Sequence, residues 1–249
     1  MLRSTSGFRP LPEEPRVRCE PGAEPLGRQA AAALPRAVAV VESAQCAVFA
    51  RPVVVYVCAD SQSFRRHTAS SVGGGVMILG RLFLSPRLAR APERVPRILT
   101  HELSHLHLEQ RAGARVFAGD FPAWFTEGLA TWVSAGGGAE NVSEAQARQA
   151  ILEGRCMRPD LSNSLLRPQD ASTYRLAPHM FYRQGAMFVG YLAGRDPQGF
   201  RKFLAALESG SRFAPAFRGE LGLDSDDAWS RFVEQLRAES RKSPSPTAH

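Results

Sequence analysis

The apolar residues of this chain change their spacing partway along it, and the change sets a short sheet-forming stretch among helices. From Glu24 to Gln45, alanines, valines and leucines recur at helical spacing, and Pro35 inside the run is expected to kink the helix or split it in two. Arg51 to Cys58 holds the β-branched run PVVVYVC, which has strand length. Ser61 to His67 reads as a short helical turn, and Val76 to Leu84 as one strand or as two short ones broken near Gly80. The glycines just before Val76 suit close approach by another backbone.

The rest is helical in period. Pro96 lies in the first turn of a helix running to about Gln110, with Gly113 shortly after its end. Phe121 to Trp132 reads as a new helix with Pro122 near its first turn, and Gly136-Gly137-Gly138 breaks the pattern. Val142 to Glu153 forms a further helix beginning near Ser143, followed by a mostly irregular stretch from Gly154 to Leu176. Four more helices are predicted at His179–Leu192, Pro197–Leu207, Phe213–Glu220 and Asp224–Arg237. This layout is α+β. It comprises an irregular Pro- and Arg-rich segment (1–23), an α+β part (24–135), a helical C-terminal subdomain (136–239) and a disordered tail (240–249), with a cleft between sheet and helices.

A length of 249 residues allows one substantial core, or one core with a helical subdomain, and a hydrophobic content of 44% is ordinary for a globular protein. Basic residues number 31 against 24 acidic ones, for a net charge of +7, and only Lys202 and Lys242 are lysines. The arginines are scattered without a basic run or an interleaved aromatic platform, so no nucleic-acid partner is expected. A preference for acidic partners stands beside the plainer reading of arginine-favouring codons. No window approaches the roughly 20 apolar residues of a transmembrane helix. Met1 to Pro15 has no apolar signal-peptide core, so a cytoplasmic location is expected as written; a leader further upstream would change that to the cell envelope or periplasm. Cys19, Cys46, Cys58 and Cys156 form no CxxC pair. Cys46 ends a predicted helix and Cys58 a predicted strand, which leaves two readings: a disulfide between them, implying an oxidising compartment, or four buried free thiols.

The stretch richest in chemistry is His101-Glu102-Leu103-Ser104-His105, which with His107 holds three of the six histidines. On a helix, residues four apart share a face, so both imidazoles of HExxH can reach one ion while Glu102 points beside it as a general base. The competing reading is a chance pattern on an amphipathic helix. Imidazole suits zinc, and a catalytic site needs a third protein ligand and an open position. Glu109 cannot supply that ligand, since eight residues of helix carry it about 12 Å along the axis from His101. A metzincin histidine is also excluded, because the required Gly and His positions hold Leu108 and Arg111. Glu127 is the only acid in the apolar helix that follows, and a lone carboxylate there is costly to bury unless paired or bound to metal. It is the candidate third ligand, with a solvent-facing glutamate as the bland alternative.

These residues resemble the gluzincin metallopeptidases, and most nearly the peptidase MA-like domain of the aminopeptidase N-like branch. The W-x-x-E-G-x-A segment of that group is matched by Trp124, Glu127, Gly128 and Ala130, and its Y-x-x-G-A helix by Tyr182, Gly185 and Ala186. The three motifs occur in the family's order within residues 95 to 235. The resemblance implies a thermolysin-like fold and one zinc ion per chain on His101, His105 and Glu127. It further implies Glu102 as general base and Tyr182 as the donor to the transition state, with Tyr174 and His179 as reserves. The alternative for Tyr182 is an ordinary core tyrosine. Peptide or protein substrate is expected to lie as an added strand along Gly75, Val76, Met77 and Ile78.

Two departures shape the specificity expected. The 21 residues (106–126) between His105 and Glu127 exceed the usual spacing of that branch, and its Gly-x-Met-Glu-Asn segment, which grips a free substrate N-terminus, has no counterpart. An endopeptidase is therefore favoured over an aminopeptidase. The alternative classes are a catalytically silent zinc-binding module that uses the scaffold for binding or assembly, and a basic anion- or envelope-binding protein with an accidental motif. The intact Glu102 argues against silence. No oligomeric state is read from the sequence.

Overall fold

Val55 and Val57 are fully buried while Tyr56 between them faces the other way, so the β-branched run becomes a strand with two different faces. In the computed structural model, which describes residues 3–161 and 170–242, five strands form one sheet in the order β1-β2-β3-β5-β4. They are β1 (Arg9–Pro10), β2 (Val17–Cys19), β3 (Val55–Val57), β4 (Gly75–Ile78) and β5 (Arg81–Leu84). The inner three run parallel, and β1 and β4 close the two edges antiparallel. The β4–β5 hairpin turns through Leu79 and Gly80, both with positive φ (49° and 73°), the backbone of a two-residue turn matched to strand twist. The segment 1–23, expected to be irregular, thus supplies two strands. Their length of two and three residues is too short to display an alternating period in the sequence.

One face of the sheet is covered by α1 (Glu24–Gln45), which buries Leu26, Ala30, Leu34, Ala37 and Val41 against it. The helix continues through Pro35 in one piece. Pro35 is exposed, so its ring meets solvent and not the packed core. On the other face a small cluster of Phe8, Cys58, Phe64 and Phe83 is capped by α2 (Ser61–Thr68), whose N-cap Asp60 accepts from the Ser63 amide. All four cysteines are free. Cys58 belongs to that outer cluster and Cys46 is exposed at the end of α1, on the opposite side of the sheet, so the pairing considered between them does not form and the thiols are not uniformly buried.

The helix bearing His101 is α3 (Val95–Ala112), and every residue from Ile98 to Glu109 is buried. It is an interior helix packed on all sides and not an amphipathic surface one. Gly113, at φ 88°, ends it and starts α4 (Ala114–Asp120), a short helix that the sequence pattern did not reveal because none of its residues is fully buried. Then follow α5 (Ala123–Val133), α6 (Glu144–Leu152) with a Ser143/Gln146 capping box, α7 (Pro178–Arg195), α8 (Pro197–Glu208), α9 (Phe213–Leu221) and α10 (Ser225–Lys242). The last helix takes in residues 240–242 of the expected tail. Residues 243–249 lie outside the described residues, as do 162–169 of the expected loop, where 171–174 form a 3-10 turn.

The expected parts 24–135 and 136–239 share one buried cluster that runs from Leu11 to Leu236. The two parts meet where α5 crosses α7 at Gly128 and Gly185, and around the crossing Trp124, Phe125, Phe188, Phe203 and Phe213 pack edge-on or tilted. Among the described residues no helix is long and apolar enough to cross a membrane. A methyl at Gly128 would sit 2.6 Å from the Gly185 carbonyl carbon, backbone against backbone, so the helices would have to separate. Gly128→Ala is therefore expected to cost about 1–3 kcal/mol, lowering the melting temperature by roughly 2–4 °C per kcal/mol. Gly194→Ala, where nothing lies within 4 Å, is expected to be neutral or stabilising. Thermal melts of the two variants check the pair, and equal melting temperatures would refute the close crossing.

Candidate metal centre

Burial on all sides means that every polar side chain on α3 needs a partner from another element. His101 and His105, one turn apart, bring their Nε2 atoms to 3.1 Å from each other. Packing of α5 on α3 adds the carboxylate of Glu127, whose Oε2 lies 3.2 Å from His101 Nε2 and 3.6 Å from His105 Nε2. Helix α5 is placed by apolar contacts and by the Trp124 indole, which donates to the Asp160 carbonyl. Glu127 is the one acid on that apolar helix, and it lands on the imidazoles.

The three ligand atoms lie within 4.8 Å of one another, and the group could hold a metal ion. Two imidazole nitrogens and one carboxylate oxygen fit a three-ligand site, and the side away from the helices opens into a cleft of about 510 Å3. Burial disfavours charge on His101, yet the hydrogen bond and charge of Glu127 hold its pKa above the ordinary imidazole value. Burial likewise opposes ionisation of Glu127, but the two histidines outweigh it and keep that carboxyl well below the usual range. The negative charge of Glu127 thus favours either a proton on His101 or a cation bound between the groups.

Glu102 points to the opposite wall. Its Oε2 accepts from the Met77 amide at 2.8 Å, which uses an outward-facing N–H of the edge strand β4. A methyl on Gly75 would stand 2.7 Å from Glu102 Cγ, so the bare backbone there admits a side chain of α3, not a second backbone as its glycines first implied. Burial is the main reason that the Glu102 carboxyl sits above its ordinary value, with the histidines pulling the other way. Glu109, excluded as a ligand by its distance along α3, instead lies beside the hairpin turn, its Oε1 3.8 Å from where a methyl on Gly80 would stand. Glu102 thus fastens the β4–β5 hairpin to α3.

Gly75, Val76 and Met77, the residues expected to take substrate, line the cleft. Ile78 does not. It packs on the outer cluster with Tyr56 and Val76, because it lies one residue beyond the stretch facing α3. Across the cleft stand Tyr182 and His179 from α7. The Tyr182 ring is 6.1 Å from that of His101, and the charge of Glu127, aided by burial, pushes its phenol well upward, so the hydroxyl keeps its proton. His179 Nδ1 accepts from the Asn141 amide at 3.3 Å. Tyr174 is stacked on Phe181 at 5.6 Å, its pKa raised to about 12 by burial, and it lines no part of the cleft. A second cavity of about 280 Å3 shares Glu127, Pro178 and Tyr182 with the cleft and is walled by Ala123, Ala171, Leu176 and Phe181.

Sequence reasoning missed the Gly137 carbonyl, which lies 2.9 Å from His101 Nδ1, and the Arg94–Glu140 ion pair (3.3 Å) at the cleft wall. The triple glycine was the only signal of the first, and the second had none. The sequence matches no protein-family model and no curated protein.

One metal ion per chain is expected to co-purify or to bind on addition, as measured by elemental analysis. Glu127→Ala is expected to lose it, whereas Glu109→Ala, which alters only the hairpin, is expected to keep it; equal retention in both would remove Glu127 from the ligand set. Because Glu127 raises the pKa of His101, metal competes there with a proton, and affinity should rise with pH. Calorimetry in buffers of differing ionisation enthalpy reads the proton directly. Heats independent of the buffer across the pH range would contradict competition between metal and proton.

Proposed function

We propose that this chain is a zinc-dependent peptidase of the gluzincin kind, with a thermolysin-like arrangement of edge strand, buried HExxH helix and helical C-terminal part. The observation that carries the reading is the convergence of Glu127 on His101 and His105 in a cleft that also holds Glu102 and Tyr182. No signal other than packing could have brought a carboxylate from 22 residues further along the chain to that point.

Zinc on this ligand set would polarise the scissile carbonyl and lower the pKa of a bound water to about 7. Glu102 accepts the proton as water oxygen bonds to the carbonyl carbon. Burial raises its pKa and so favours holding that proton until it passes to the leaving amine as the C–N bond breaks. Tyr182 stays protonated beside the anionic Glu127 and can therefore donate to the developing oxyanion. Met77 and Gly75 offer main-chain groups along β4 to an extended peptide, with the Met77 amide released when Glu102 turns to its water. Besides Glu102 and Glu127, the only acid lining the cleft among the described residues is Glu140, and Arg94 meets its charge. No unpaired carboxylate awaits a substrate ammonium, which favours internal cleavage over removal of N-terminal residues.

The test is incubation of the zinc-loaded protein with a diverse peptide library read by mass spectrometry. Glu102→Gln, which keeps the shape but loses the basicity, is expected to retain metal and lower turnover by about a thousandfold, within the usual worth of a general base. Tyr182→Phe is expected to lower kcat by about a hundredfold with little change in KM, since its donor acts once charge has developed. N-terminally blocked peptides are expected to be cut at least as well as free ones. Parent-like turnover in Glu102→Gln would refute the catalytic assignment, a strict one-residue ladder from free N-termini would refute internal cleavage, and a metal-bound protein with no turnover would favour the silent scaffold.

A further inference from the structure

The chemistry just described leaves the three glycines that follow α5 unused, yet each is bare for its own steric reason. A methyl on Gly136 would meet the Arg183 guanidinium at 2.8 Å, one on Gly137 the Arg97 carbonyl oxygen at 2.5 Å, and one on Gly138 the His101 Cε1 atom at 2.9 Å. The loop therefore lies flat against α3 between Arg97 and His101. There the Gly137 carbonyl accepts from His101 Nδ1 at 2.9 Å. A carbonyl can only accept, so the ring must carry a proton on Nδ1, which fixes its orientation and turns Nε2 toward Glu127 and His105. His105 has no such support, since its buried Nδ1 lacks a hydrogen-bond partner among the described residues.

A run of glycines is the backbone least able to hold one conformation unaided. Two main-chain bonds brace it, Gly136 N–H to the Thr131 carbonyl and Ala139 N–H to the Gly136 carbonyl. The side-chain brace is Arg183, next to Tyr182 on α7. Its Nε donates to the Val142 carbonyl at 2.8 Å and its Nη2 to the Ala139 carbonyl at 3.1 Å, two donors of one planar fork on the exit of the loop. Helix α7 thus carries at adjacent positions a side chain that faces the cleft and one that holds the loop behind a candidate ligand.

We propose that Arg183 is a positioning residue for the metal centre: by clamping the loop at Ala139 and Val142 it presses the Gly137 carbonyl onto His101 and presets that imidazole for the ion. This rests on the reading of His101, His105 and Glu127 as metal ligands, and it extends the site to a residue that touches neither metal nor substrate.

The test compares the full-length parent with Arg183→Gln, Arg183→Lys and the control Arg148→Gln, which removes an arginine paired with Glu239 away from the cleft. Zinc affinity is measured by competition with a chromophoric chelator, and the ligand field by the visible spectrum of the cobalt-substituted protein. Arg183→Gln is expected to bind zinc about ten- to a hundredfold more weakly, as loss of an outer hydrogen-bonding partner typically does, with an altered cobalt spectrum and a fold intact by circular dichroism. Arg183→Lys, which keeps the charge and part of the donor set, is expected to recover some of the affinity, and Arg148→Gln to match the parent. Should Arg183→Gln fail to fold, Arg183→Lys carries the same comparison with a smaller loss. Parent-like affinity and spectrum in both Arg183 variants would overturn the proposal while leaving the metal site standing. A parent that takes up neither zinc nor cobalt would overturn the metal-site reading and this proposal with it.

Discussion

A carboxylate held against two buried imidazoles is the interaction on which the rest of this structure depends. Glu127, His101 and His105 come from two helices that meet in the interior, and each is expensive to bury alone. Together they are tolerable, because the charge that burial opposes in one is supported by the next. The geometry follows from that trade. Helix α3 must be interior for the histidines to be shielded, and α5 must be apolar apart from one acid for it to pack there at all.

An interior helix with this many polar residues faces a strict demand, and α3 meets it by spreading its partners over several separate elements. Gln45 at the end of α1 donates to the Ser104 hydroxyl at 2.6 Å, and His107 bonds the Ala47 carbonyl at 2.8 Å. Glu102 holds the β4–β5 hairpin, and His101 holds the glycine loop. Each of these bonds fixes a separate element to the helix that bears the site. The same bonds that lower the cost of burying α3 therefore also set the walls of the cleft. The geometry of the site and folding stability share one set of contacts here, and the edge strand, the loop and α1 are positioned from the helix outward.

Missing side chains matter as much as present ones. Where Glu102 approaches β4 the strand offers Gly75, where α5 crosses α7 both helices offer glycine, and where the loop meets His101 it offers Gly138. At each point a single methyl would force apart elements whose spacing defines the ligand distances. Arg183 and Tyr182 illustrate the economy of that packing, since one turn of α7 contributes both a brace for the loop and a hydroxyl to the cleft.

The sequence by itself determined what depends on local period and residue chemistry. The i, i+4 histidines, the apolar helix with a single acid, the strand-forming stretch around Gly80 and the helices of the C-terminal half all follow from side chains a few residues apart. The alternation that marks a strand needs length, however, so β1 and β2, with two and three residues, were invisible until their partners were in place. Helix α4 buries no residue fully and so left no stripe. Only the tertiary structure decided that Glu127 reaches the histidines, that Met77 and not Ile78 faces the cleft, that Tyr174 stacks on Phe181 while Tyr182 and His179 line the site, and that Cys46 and Cys58 lie apart. The Gly137 carbonyl shows why most plainly. A backbone oxygen has no signature in the sequence, and its role arises only when a loop is pressed onto a helix some 36 positions away in the chain.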